Sequence, residues 1–161
     1  METDINSGRI AALDLGEVYS GVAVSDPGGT LARPLEVVTS DSLVEYLRRL
    51  LVQEGITEVV VGIPRTLGGE AGFQAERVLA TLTVLKEAFP AVRFIEWDER
   101  LTTRLARSSR SMTAGRRPGG RAGQRKGGAR RERVDHLAAA VMLQEYLDRR
   151  GKFEATRQGS P

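Results

Sequence analysis

The chain has 161 residues, no cysteine and a net charge of +3. That length suits one domain with a real core, and the missing cysteines exclude a disulfide framework and a thiolate metal site. No apolar run approaches the length of a membrane span. The small net charge hides an asymmetry. Between Arg104 and Arg133 lie eleven basic groups against Glu132 alone, a net of +10, while the rest of the chain carries 13 basic and 20 acidic groups, a net of −7. A mildly acidic body with one concentrated basic segment points to a polyanionic partner.

Residues 1–8 are polar, lack the apolar core of a signal peptide and read as a disordered N-terminus, which makes a cytoplasmic protein the expectation. The stretch RIAALDLGEVYSGVAVSD, Arg9 to Asp26, reads as two short strands joined by a tight turn. Ile10 to Leu13 form an apolar run suited to a strand buried on both faces, and Asp14 interrupts it. A carboxylate there is costly to desolvate unless a metal ion, a hydrogen-bond donor or a basic side chain shares its site. Leu35 to Val38 reads as a third strand after the turn at Pro27, and the short links favour an antiparallel meander.

Ser42 is the expected N-cap of a helix from Leu43 to about Glu54, with Leu43, Leu47, Leu50 and Leu51 on one face and Gly55 at its end. Glu58 to Gly62 reads as a short buried strand. A glycine loop follows at 68–72, then a second helix with Val78, Leu82, Leu85 and Phe89 on one stripe, stopped by Pro90. Val92 to Trp97 is the fifth strand, and a short helix is expected from Thr102 to about Arg110. Residues 111–131 are dominated by Gly, Arg and Pro, so a mobile basic loop is expected there. The last helix runs from about Val134 to Arg150, and residues 151–161 read as a disordered polar tail. The order β-β-β-α-β-α-β-α makes strands one, four and five parallel, in a mixed five-stranded α/β sheet with helices on both faces of a single domain over residues 9–150.

The segments ALDLGEVYSGVAVSD, VVVGIPRTLGGEAG, WDERLTT and VDHLAAAVMLQEYLD resemble the four motifs of the YqgF (RuvX) family, in that family's order and spacing. The resemblance covers most of Arg9 to Asp148. It implies a ribonuclease H-like fold and a metal-dependent nuclease, a hydrolase that processes the 5′ end of pre-16S ribosomal RNA in ribosome biogenesis. The alternatives are a Holliday-junction resolvase-like DNA endonuclease and a non-catalytic RNA-binding factor of the ribosome-assembly machinery. It also implies three catalytic and metal-binding acids: Asp14, Glu99 and Asp135.

The residues themselves agree, with plainer readings beside each. Asp14 ends a buried strand, and could equally cap the turn near Gly16. Glu99 follows a strand expected to run parallel to the first, so the two can meet at one end of the sheet; a surface pairing with Arg100 is the plain alternative, and Asp98 is its rival. Asp135 shares a helix face with Ala139, Met142 and Tyr146, an apolar stripe that should touch the core; simple stabilisation of the helix N-terminus is its plain reading, and both can hold at once. His136, the only histidine, reads as an ordinary polar residue. Three carboxylates without His or Cys favour hard cations, Mg²⁺ or Mn²⁺. For nucleic acid the candidates are Tyr19, Arg65, Arg116, Arg117, Arg121, Arg125, Lys126, Arg130 and Arg131. Val18 and Tyr19 stand where the family usually carries a basic pair, and Ser20 where it is aliphatic; Thr66 and Gly68 replace a commoner Asn and Asp. Tyr19 offers a ring for stacking on a base, or simply packs in its turn. Neither the choice between RNA and branched DNA as substrate nor that between monomer and homodimer follows from the sequence. A rival reading, the nucleotide-binding ATPase of the actin and sugar-kinase type, needs a second DxG hairpin that the sequence lacks.

Overall fold

The computed structural model describes residues 8–64, 70–98 and 128–158. Five strands form one sheet: β1 (Arg9–Leu15), β2 (Tyr19–Ser25), β3 (Ala32–Thr39), β4 (Ile56–Ile63) and β5 (Arg93–Asp98). Among the described residues three helices accompany them: α1 (Leu43–Gln53), α2 (Glu70–Ala88) and α3 (Gly128–Gln158). The spatial order is β3-β2-β1-β4-β5. β1, β2 and β3 pair antiparallel, and β1, β4 and β5 pair parallel. This is the expected mixed sheet: the tight turns permit only antiparallel neighbours, and α1 and α2 each supply a crossover to a parallel strand.

The core is split by the sheet. On one face Ala11, Leu13, Val22, Val24, Val59 and Val61 meet the buried stripes of α1 (Leu43, Leu47, Leu50) and α2 (Val78, Leu82, Leu85), closed by Phe89. On the other, Ile10, Ala12, Ala23, Val60 and Trp97 meet Ala139, Met142, Leu143 and Leu147 of α3. β1 and β4 are therefore apolar at consecutive positions because both of their faces are covered. α3 lies chiefly over β2, β3 and β1. Its residues Leu147 and Gly151 lie near Gly8 and Ile10, so it runs antiparallel to β1 and its N-terminal half lies toward the sheet end where Asp14 sits.

Three local expectations change. Ser42 does precede α1, but it closes a 3₁₀ turn (Ser40–Ser42) in helical backbone and makes no side-chain cap; its hydroxyl accepts from Thr39 Oγ1 at 2.9 Å. β3 begins at Ala32, earlier than expected, because it pairs with β2 as far as Ser25. α3 starts at Gly128 and continues to Gln158, beyond both expected ends. The helix thus takes in Arg130 and Arg131, placed in the expected loop, and residues 151–158, placed in the tail. Lys, Arg, Glu, Gln and Ala are good helix formers, so polarity alone did not mark an end there. Gly55 closes α1 with φ +62°, the left-handed conformation that favours glycine. No helix of the described residues is long and apolar enough to cross a membrane.

Candidate active site

Asp14 is the penultimate residue of β1 and is half-buried. Side chains alternate along a strand, so Asp14 follows Ile10 and Ala12 onto the face covered by α3. Its partner on β2 is Gly21. One step beyond the Leu13–Val61 pair, its neighbour on β4 is Gly62, itself paired with Trp97 of β5. The carboxylate is therefore flanked by glycine on both sides. At these two positions no side chain crowds the ledge around it.

The turn after Asp14 is fastened from several directions. Ser40 N–H donates to the Val18 carbonyl at 2.9 Å, and Ser40 Oγ donates to the Gly16 carbonyl at 3.2 Å. Glu17 pairs with Arg77 of α2 at 3.2 Å. A Cβ at Gly16 would collide with the Tyr19 carbonyl oxygen, so the turn needs glycine there. Tyr19 opens β2 at 42% exposed, beside Val18 at 59%. Phe73, one helical turn before Arg77, is 72% exposed and was not singled out by sequence; a lone Phe in a polar helix start gives little signal.

β5 places Asp98. Phe94 packs with the α1–α2 face, and Ile95 and Trp97 with the α3 face. By that alternation Asp98, paired with Ile63, lies on the side of the sheet away from Asp14. Glu99 lies outside the described residues, as do Arg65, Arg116, Arg117, Arg121, Arg125, Lys126 and the helix expected at 102–110. Asp135, Arg130 and Arg131 belong to α3. Asp135 precedes Ala139 by one turn; of the expected stripe Ala139 and Met142 are buried against the sheet and Tyr146 packs against the same cluster.

A second acid on the same face was missed. Glu58, at the head of β4, is 6% exposed. It accepts a hydrogen bond from the Tyr146 hydroxyl and pairs with Arg93 and Arg150, each at 3.6 Å. Burial, followed by the bond to Glu58 and its charge, pushes the Tyr146 hydroxyl well above its usual range, so it remains a donor. The Tyr146 ring meets Trp97 edge-on at 5.6 Å, and the Arg149 guanidinium lies 5.2 Å from the indole centroid. The signal was available: a Glu heading the run VVVGI is costly to bury unless partnered. A cavity of about 450 Å³ lies at this end too, between the 27–30 turn and residues 147–155, away from Asp14.

The donor chemistry fits a hard divalent cation. The candidate acids offer only carboxylate oxygen; among the described residues no group of three acids or histidines is placed to hold a metal ion.

The comparisons agree with one another. The model of the family described as "RuvX: Holliday junction resolvase" matches residues 8–149. A relative from Rubrobacter xylanophilus, named "Putative pre-16S rRNA nuclease", is 61% identical over 141 residues, covering 88% of this chain and 93% of the relative. A relative of the same name from Desulforudis audaxviator is 39% identical over 146 residues, covering 88% and 95%. Among solved structures, Thermus thermophilus RuvC in complex with a Holliday junction superposes with a TM-score of 0.51 at 16% identity, over 89% of this chain and 95% of that one. That likeness bears out the ribonuclease H-like fold.

Proposed function

Since the chain belongs to the RuvX family, a family of nucleases, we propose that it is a metal-dependent hydrolase that processes the 5′ end of pre-16S ribosomal RNA. The observation that carries this reading is the position of Asp14. It stands at the C-terminal end of the central strand, flanked by glycines, on the face where α3 packs. Open α/β sheets build their sites at that end.

In this reading Asp14, Glu99 and Asp135 hold Mg²⁺ or Mn²⁺, which when bound activates a water and stabilises the leaving oxygen of a phosphodiester. The fastened turn at 16–18 keeps the Asp14 carboxylate aimed. Arg65, Arg116, Arg117, Arg121, Arg125, Lys126, Arg130 and Arg131 neutralise the substrate's phosphates, giving affinity without base specificity. Tyr19 and Phe73 offer exposed rings on the rim for unpaired bases.

The test is purified protein with Mg²⁺ or Mn²⁺ on 5′-extended 16S precursor RNA, single-stranded RNA, duplex DNA and four-way junctions. Cleavage of the precursor RNA that disappears in EDTA supports the proposal. Cleavage confined to four-way junctions replaces it with the resolvase reading, and binding without cleavage replaces it with an assembly factor. Changing Arg116, Arg117, Arg121 and Arg125 to Ala should weaken RNA and DNA binding together. The log–log salt slope should flatten by up to about 0.7 for each single-strand phosphate that is no longer neutralised. An unchanged slope removes these residues from the interface.

A further inference from the structure

Phosphodiester cleavage makes no use of Glu58, yet it is buried, charged and well partnered. Its partners explain why. Tyr146 and Arg150 come from α3, and Arg93 from β5. Tyr146 also packs edge-on against Trp97 of β5. α3 otherwise lies over the β3–β2–β1 half of the sheet and barely touches β4. The Trp97–Tyr146–Glu58 cluster is therefore where α3 is fastened to the β4–β5 half.

Two members lie close in sequence or along one helix face to the proposed acids. Trp97 is two residues before Glu99. Tyr146 is 11 residues after Asp135, close to three helical turns, so both occupy one face of α3 about 16 Å apart along the axis. A helix behaves as a rod over that length, so fixing its rotation and height at Tyr146 fixes them at Asp135. On the opposite edge Gln144 performs a similar service. Its Oε1 accepts from Ala32 N–H at 2.8 Å and its Nε2 donates to the Thr30 carbonyl at 2.9 Å. Asp26 holds that turn closed, accepting from Thr30 N–H at 2.7 Å and Leu31 N–H at 2.8 Å. Against β3 the rod is pinned by Gln144, and against β4 and β5 by Tyr146.

We infer that Tyr146, through Glu58 and Trp97, is a positioning residue for cleavage: it couples α3 to β4 and β5 and so sets the height and rotation at which α3 carries Asp135. The inference rests on the metal-nuclease reading and deepens it. Tyr146 itself touches neither substrate nor metal. Its effect is on how α3 is seated.

The experiment compares the parent with Tyr146→Phe, Glu58→Gln and Glu58→Ala. Two readouts are taken: the rise in melting temperature produced by Mn²⁺ in protein free of nucleic acid, and kcat and KM on precursor RNA. Tyr146→Phe keeps the ring against Trp97 and loses only the hydroxyl. It should lower kcat by about tenfold, the scale of a small misplacement of catalytic groups, with KM unchanged. It should also shrink the Mn²⁺-induced rise. Glu58→Gln still accepts from the phenol and should stay near the parent, whereas Glu58→Ala should behave like Tyr146→Phe. Parental kcat and a parental Mn²⁺ response in Tyr146→Phe, whatever its melting temperature, would overturn the inference. If Tyr146→Phe does not fold, Trp97→Phe takes its place, with the same expected loss and the same overturning result. A parent that neither cleaves nor responds to Mn²⁺ brings down the nuclease reading and the inference with it. A responsive parent with an indifferent variant brings down the inference alone.

Discussion

Two carboxylates stand on the α3 face of the sheet, at opposite ends, and they are built in opposite ways. Glu58 is surrounded by a phenol and two guanidinium groups, which match its charge and its lone pairs. Asp14 is flanked by Gly21 and Gly62. The first environment fills the space around an acid with permanent partners and uses it to hold elements together. The second keeps the side chains of the adjoining strands out of the way. Burying a charge is tolerable only when it is compensated. At Glu58 the fold closes around the acid with bulky side chains to do so, and at Asp14 the strand neighbours are glycines. Composition does not distinguish the two acids. The size of the neighbours does.

Because α3 covers both ends, the largest expected effect is one that removes this cover. Met142 is 3% exposed between sheet and helix. Met142→Asp places an uncompensated charge there and should cost roughly 4 kcal/mol, unfolding the domain or nearly so. Thermal unfolding followed by circular dichroism reads this directly. An unchanged melting temperature would mean the helix does not seal the two ends together, and the comparison would fail at its root.

Asp14→Asn separates the ends. It should reduce cleavage by at least about 1,000-fold, since residues that act as a unit lose most of the rate when one is removed. Thermal unfolding should stay close to that of the parent, because the amide has the carboxylate's shape and keeps one of its oxygens as an acceptor. Full activity in this variant sinks the site. Glu58→Ala should show the converse in stability. It leaves the Tyr146 hydroxyl buried without its acceptor and should cost about 2 kcal/mol in chemical denaturation. A loss much below that would mean water already serves Tyr146, and the contrast between the two ends would blur.

The fold was legible wherever burial is written as periodicity. Buried strands show as apolar runs, and α1, α2 and the middle of α3 show as stripes, all of which pack as their spacing implies. What stayed hidden was set by partners distant in sequence. Ser42 looks like a cap, yet its hydroxyl is taken by Thr39. Glu58 looks like the polar start of a strand; its partner Tyr146 is 88 positions away. Asp98 and Glu99 are adjacent acids that local sequence cannot rank; the alternation of Phe94, Ile95 and Trp97 between the faces puts Asp98 opposite to Asp14. For the site itself the sequence offers three acids in family motifs. The structure adds what surrounds Asp14.

The smallest effect is expected on the other face, and it sharpens the comparison by supplying a polar group that has neither kind of compensation. Ser20 of β2 pairs with Leu15 and, through β3, with Val38, on the side covered by α1 and α2. It is 1% exposed, and its hydroxyl finds no hydrogen-bond partner among the described residues. An orphaned hydroxyl in an apolar layer carries its desolvation cost without return. Removing it should therefore stabilise: Ser20→Ala should gain roughly 1 kcal/mol, a rise of about 2–4 °C in melting temperature for a chain of this size. Cleavage should not change, because the hydroxyl lies across the sheet from Asp14. Ser20 thus differs from both acids: it is buried like Glu58 but unpaired, and near the Asp14 end but facing away from it. A drop in stability would show that the hydroxyl has a partner after all. A drop in cleavage at unchanged stability would show that the α1–α2 face also reaches the chemistry, and the site could no longer be drawn on one face of the sheet.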